Sequence, residues 1–573
     1  METTQLALRP YLETIEKHCR LLDRDSLIQL IFELARQVEP GTRNDFLQSF
    51  LSSLPGTGKE TARITETSEN NLQAEVEELR QEIQARIESI EDGTYWDDPD
   101  DDDWQDSYYN DEDPDLLNDY QKEELSEFFS KAGRHFIHGE KKAALKIYNA
   151  LFSLINEVEE HDYLLDLGVN LREARARHAR CVYELSSREE RIDAMFAVMN
   201  AGMRSRDFPL LRDVMDAETG DLEDFDPFLT SWQTALTEHN FRIQRVADLL
   251  LEVAFLQGGV TAVADLAKTW QAQQPLGYLY WLQQLEREEN WPLLRDAGCE
   301  ALKSLPHGLD RRQAAGYMIK AGKMLDEDTI ILTGYRERFR SEPSNATLLE
   351  LVTEANRQQV REKELAEICA FLSAQKSEYG EVELLVKSLL MNGEIDRAFV
   401  LCKQEKAIGW SGGSAAALLY GSIIYLLSSG NTACTLSRNL LENYAGANTV
   451  FFDSYDDQPV DTGTSGFLEV MRGLDQILLA SPDLNRYRQW TVDIGEQRIN
   501  HIVSNKHRKA YERAAMILVS LTEAMTAEGN KNKADSLLHE YCRVRYNRHV
   551  AFRREVRQAV AKSQILRGIT DGL

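Results

Sequence analysis

A chain of 573 residues has room for three or four ordinary domains or one long array, and its apolar content of 43% is ample for a core. Its formal net charge of −30 repels nucleic acid and anionic membrane on average. Alternating strand patterns are almost absent and the 13 prolines fall mostly between apolar-periodic segments, so the predicted class is all-α.

Residues 6–54 carry three helical patterns. In the second, Leu27, Ile28, Leu30, Ile31, Leu34, Ala35 and Val38 form one stripe that Asp25 or Ser26 can cap, with Pro40-Gly41 as its end. Residues 55–68 read as a polar linker. Leu72, Val76, Leu79, Ile83, Ile87 and Ile90 then recur at helical spacing, a long amphipathic or coiled-coil-like helix.

Residues 91–115 hold thirteen acids and no Lys or Arg, and two prolines break any regular pattern. Dense like charge of this kind predicts a disordered linker over 91–118. Its acids could also hold cations weakly, although no EF-hand loop is present. Trp96, Trp104, Tyr108 and Tyr109 interleave with the acids, so the tract can alternatively dock on a basic groove of a partner or on the chain's own basic end.

Helix pairs follow, near 120–157, 161–201, 241–273, 278–303, 309–339, 344–374 and 378–405, with turn signals at Gly139, Gly258-Gly259, Asn290, Asp326 and Gly393. The best-formed pair is 125–155. There Ala132, Gly133, Ala143 and Ala144 allow close approach, while Phe128, Phe136, Tyr148 and Phe152 interlock. Such a pair cannot bury its apolar face alone, so it needs stacked neighbours. The acidic loop 216–227 is expected to mark a bend. The apolar run Ala415–Leu427 is too short to span a bilayer and reads as a buried helix. Residues 450–466 combine Pro, Gly, Asp and Thr and read as an internal boundary. Helices are expected after it near 467–480, 484–503, 508–528 and 531–562. Residues 483–573 hold seventeen Lys and Arg against ten acids.

Ala132, Gly139, Ala144 and Tyr148 fall at the small, turn, small and aromatic positions of a tetratricopeptide repeat, which the 125–155 unit resembles; His135 and Lys131 depart from that pattern. The segments 338–357, 379–404 and 515–556 are similar to the helical region that accompanies bacterial SWIM-type zinc fingers. The finger itself, a CxC…CxH arrangement, is absent from the sequence, so the resemblance implies a helical interaction module without metal.

Motifs for chemistry are few. SLPGTGKETA (53–62) has Gly56, Gly58 and Lys59 of a phosphate loop. Ser53 replaces its first glycine, however, and Glu60 stands where a magnesium-binding hydroxyl belongs, so the segment reads as linker. The seven cysteines are scattered singly, which fits a reducing cytosol and neither a disulfide framework nor structural zinc. The N-terminal residues show no secretory pattern. His135 and His138 lack a second ligand pair, and His18 and Cys19 point to different helix faces. Arg543, Arg545, Arg548, Arg553, Arg554 and Arg557, with Tyr546 or Phe552, could meet nucleic-acid phosphates or could pair with acidic faces of the chain.

These readings predict an N-terminal helical region (1–90), the acidic linker (91–118), a tetratricopeptide-like solenoid (119–449), a linker (450–466) and a basic helical module (467–573). The expected function is a non-enzymatic, cytoplasmic protein scaffold or regulator with no cofactor or small-molecule substrate. Its expected partner-binding residues are Trp96, Trp104, Tyr108, Tyr109, Arg543, Arg553, Arg554 and Arg557. Two alternatives stand beside it. One is a regulator released by partner exchange or by cleavage at a linker, in the style of accessory proteins of bacterial defence operons. The other is nucleic-acid binding through the C-terminal helices.

Overall fold

The computed structural model describes residues 8–37, 62–92, 115–159, 167–200, 208–375, 381–404, 408, 414–428, 431–446, 462–477 and 481–566. They are helical, with no strand among them. The chain divides into two compact units, Met1–Tyr280 and Trp281–Leu573.

The first unit holds α1 (Leu8–Cys19), α2 (Arg24–Gln37), α3 (Ala62–Glu91), α4 (Asp119–Ile137), α5 (Lys141–Glu159), α6 (Leu171–Leu185), α7 (Arg191–Asn200), α8 (Leu211–Asp216), α9 (Phe225–Thr237) and α10 (Gln244–Trp270). Asn118 starts α4 through a reciprocal capping box with Gln121, and Gly139 at φ 79° makes the tight turn into α5. Phe128, Phe136, Tyr148 and Phe152 are all buried, and Ala132 and Ala144 sit at zero exposure between them, as the small/large spacing predicts. The cap of α2 differs from the expectation: Asp23, not Asp25 or Ser26, accepts the Ser26 N–H at 2.8 Å.

Helix α3 is not a free-standing coiled-coil helix. Val76, Leu79, Ile83 and Ile87 are buried in one core with Leu125, Phe129, Ile147 and Leu151 of the first hairpin. Arg86 donates to the carbonyls of Asp115 (2.9 Å) and Leu116 (3.1 Å), so the last residues of the expected linker belong to the fold. Its helix also begins at Ala62, inside the expected 55–68 linker. The phosphate-loop-like residues 53–61, Trp96, Trp104, Tyr108, Tyr109 and the 91–115 tract between residues 93 and 114 lie outside the described residues.

Helix α10 belongs to the one stretch among the described residues, Gln244–Gln273, that is long and apolar enough to cross a membrane. Gly259, at φ 63° and ψ −156°, splits it into two arms, matching the Gly258-Gly259 turn signal. Half of the apolar window is buried against protein.

The second unit continues the hairpins: α11 (Leu276–Arg287) contains the division, then α12 (Trp291–Ser304), α13 (Leu309–Leu325), α14 (Asp328–Ser341), α15 (Asn345–Arg357), α16 (Arg361–Ala374), α17 (Glu381–Met391) and α18 (Ile395–Cys402). Asn290 and Ser344 cap α12 and α15, and Asp326 and Gly393 turn with positive φ, again at the expected positions. Then come α19 (Ala415–Leu427), α20 (Thr435–Ala445), α21 (Thr462–Leu474), α22 (Ser481–Ser504), α23 (Tyr511–Ala527), α24 (Lys531–His539) and α25 (Val550–Lys562). Almost every side chain of α19 is buried, as expected of a core helix.

Two expectations need correction here. Residues 462–466 are the start of α21 rather than linker, and no separate core marks the last hundred residues: one apolar cluster runs from Leu332 to Leu566. The single helix expected over 531–562 is broken by a π-helical segment, Glu540–Arg545, and a turn. Both Tyr541 and Tyr546 are buried there. The extra residue per turn of a π-helix brings both rings inward at a spacing that an α-helix does not provide.

Helix α21 lies very close to α17. A Cβ on Gly473 would stand 2.2 Å from the Leu390 carbonyl oxygen and 2.5 Å from that of Met391. Backbone cannot yield as a side chain does, so Gly473→Ala is expected to cost about 3 kcal/mol. Urea unfolding of the variant, compared with the neighbouring exposed Arg472→Ala, measures it; equal stability would refute the close approach.

Candidate partner-binding surface

Buried ionisable groups are the first place to look for an active site. Here they converge on helix ends. Glu252 is fully buried on α10 and accepts the N–H groups of Leu211 (2.7 Å) and Arg212 (2.8 Å), the first two residues of α8. Arg180, from α6, donates to the carbonyls of Val214 (3.4 Å) and Met215 (3.3 Å) at the other end of α8, and to Gly220. Arg245 donates to Met199 at the end of α7 (2.8 Å) and to Pro209 (2.6 Å).

The second unit repeats the device. Glu523, on α23, accepts the N–H groups of Leu436 (3.3 Å) and Ser437 (2.8 Å) at the start of α20. Lys387, on α17, donates to Ala445 at its end (2.9 Å) and to the Asn345 side chain (2.9 Å). Arg361 bonds Met391 at the end of α17 (2.9 Å), and Arg311 bonds Leu305 just past α12 (2.6 Å). Anions sit at N-termini and cations at C-termini, the signs that orphan N–H and C=O groups and the helix dipole require.

The acidic loop 216–227 is held in the same way. Tyr183 donates to the Glu223 carbonyl (2.8 Å), and Lys141 pairs with Glu184 and Glu218. His178 stacks on Phe152 and bonds Asn149 at 2.7 Å; burial lowers its pKa to about 4, so it is a neutral core ring. His135 pairs with Glu140, and His138 closes α4. No group of three or more His, Cys, Asp or Glu among the described residues could hold a metal ion.

The lone charge in an apolar helical run was a readable signal for these caps: Glu252 in LLLEVAFL, Lys387 in LLVKSLLM and Glu523 in VSLTEAM. Which helix end each one reaches was not readable, because the partners lie 40 to 87 residues away.

The arginines of the C-terminal hairpin behave differently. Arg545 pairs with Glu540 and Glu496, and Arg554 with Glu555. Arg548, Arg553, Arg557 and Lys562 form no ion pair with any described residue, and the buried Arg553 Nε has no hydrogen-bond partner there. Arg553, Arg543 and Arg557 each act electrostatically to lower the pKa of the buried Cys542 thiol. Burial dominates that thiol and pushes it up to about 11. The expected pairing with acidic side chains thus holds for Arg545 and Arg554 and, among the described residues, fails for Arg548, Arg553 and Arg557.

The platform under this face is firm. Tyr546 donates to Asn500 (2.8 Å), Phe552 packs edge-on against Tyr511 and Tyr546, and Thr435 donates to the Lys562 carbonyl (2.9 Å).

No protein-family model matches the chain, and no curated protein matches it.

Two measurements follow from this geometry. Burial raises the Glu252 carboxyl from 4.5 to about 7, against the two N–H groups that lower it and with Asp213 and Arg245 nearby. A folded pKa above the unfolded one binds the proton more tightly in the folded state. Stability is therefore expected to fall by about 3 kcal/mol as pH rises from roughly 4.5 to 7. Glu252→Gln should flatten that part of the pH–stability profile, and an unchanged profile would contradict the assignment. Thiol labelling checks the second: Cys19, only partly buried, should react in the native protein, and Cys542 only after unfolding.

Proposed function

We propose that this chain is a non-enzymatic interaction protein that holds a partner protein, with its hairpins stacked as an irregular tetratricopeptide-like solenoid. The observation that carries this reading is the contrast between two sets of charges. Charged side chains inside both units cap neighbouring helices, so they act as structural fasteners. On α25, by contrast, Arg557 and Lys562 are exposed and form no ion pair among the described residues, and Arg554 pairs with Glu555 of its own helix. A surface that keeps the exposed Arg557 out of any ion pair among the described residues, on a firm platform, suits recognition by electrostatic match. Helix hairpins of about 30 to 40 residues whose apolar faces merge into a shared core within a unit, Val76–Ala217 in the first and Leu332–Leu566 in the second, suit the same role.

Tagged protein purified from its native host is expected to carry a stoichiometric protein partner through size exclusion, identified by mass spectrometry. Recovery of the lone monomer under those conditions would sink the reading.

A further inference from the structure

The geometry points to the outward face of α25, with the π-segment before it, as a docking site for a short acidic segment of a partner protein that also carries apolar side chains. This rests on the partner-holding reading and deepens it.

Val550, Arg553, Arg554 and Arg557 stand at helical spacings of three, four and seven, so they form one stripe along α25. Phe552, Val556 and Val560 face the core instead. Val550 is 62% exposed and Val544, in the π-segment, 55%. Large apolar side chains left open among arginines fit a surface that meets both carboxylates and hydrocarbon. Residues 540–562 hold seven Lys and Arg against two acids, a net of +5.

Length and surroundings favour a short acidic peptide over a nucleic acid. Thirteen residues of helix make a patch roughly 20 Å long. Residues 281–573 hold 37 Lys and Arg and 39 acids, net −2, so the second unit outside 540–562 carries −7. A long polyanion would run past the patch onto a unit whose remaining charge is negative on average, whereas a segment of matching length would not. Because Tyr546, Phe552 and Lys562 are tied to the core, the arginine backbone needs little ordering on binding.

The test uses the full chain and three fluorescent probes: a short peptide of Glu and Leu in helical alternation, a single-stranded oligonucleotide of similar charge, and vesicles rich in phosphatidylserine. The peptide is expected to bind in a salt-dependent way. Arg557→Glu and Val550→Asp should each weaken it about tenfold with melting profiles unchanged, since both side chains are exposed. Absence of peptide binding, unchanged binding in either variant, or binding of the oligonucleotide or vesicles as tight as the peptide would overturn the inference. If a partner purified from the host still accompanies the Arg557→Glu chain at full stoichiometry, the partner-holding reading stands and this face is removed from it.

Discussion

Buried helix ends need partners, and in this chain long charged side chains from other helices supply them. Two short helices show the constraint in full. Helix α8, six residues long, has Glu252 at its start and Arg180 at its end. Helix α20, eleven residues long, has Glu523 at its start and Lys387 at its end. Neither is long enough to be stable in isolation, so its existence depends on neighbours folding around it. A carboxylate removed from such a place leaves two buried N–H groups bare, a loss on the order of 3 kcal/mol. The close approach of α17 and α21 at Gly473 adds the steric half of the same arrangement.

That constraint also decides how perturbed ionisation is to be read. Lys387 is pushed down to about 8 and Asp248 up to about 6, each chiefly by burial. Values like these invite catalytic roles. In this fold Lys387 bonds one carbonyl and one amide side chain, and Asp248 lies beside Arg245, whose guanidinium holds two carbonyls.

Much of this was legible in the amino-acid order, for local reasons. Hairpins with a two- or three-residue turn and a residue able to adopt positive φ, such as those turning at Gly139, Asp326 and Gly393, declare both helices and the loop. The arginine stripe was legible from spacing. What escaped depends on tertiary contacts. Helix α8 fell in an unassigned gap because six residues carry no period and its caps come from far away, and α9 begins within what reads as an acidic loop. The π-segment was invisible because its Tyr541 and Tyr546 are read as one helix until the core demands both rings. The boundary expected near 450–466 followed composition, which says nothing about Glu469 or Glu523 reaching across it. That Arg553 and Arg557 form no ion pair among the described residues is likewise a fact about their surroundings.

The shared core of the second unit has a consequence for a nicked chain. Bonds between Arg361 and Glu469 (2.9 Å) and between Glu523 and Ser437 join segments on either side of residues 447–461, and apolar packing from Leu332 to Leu566 joins the rest. A protease that cut between α20 and α21 would leave two fragments complementing one another, as in a reconstituted split protein. The halves would run together through gel filtration and part only in denaturant, so a scission there would change the covalent state of the molecule well before its shape.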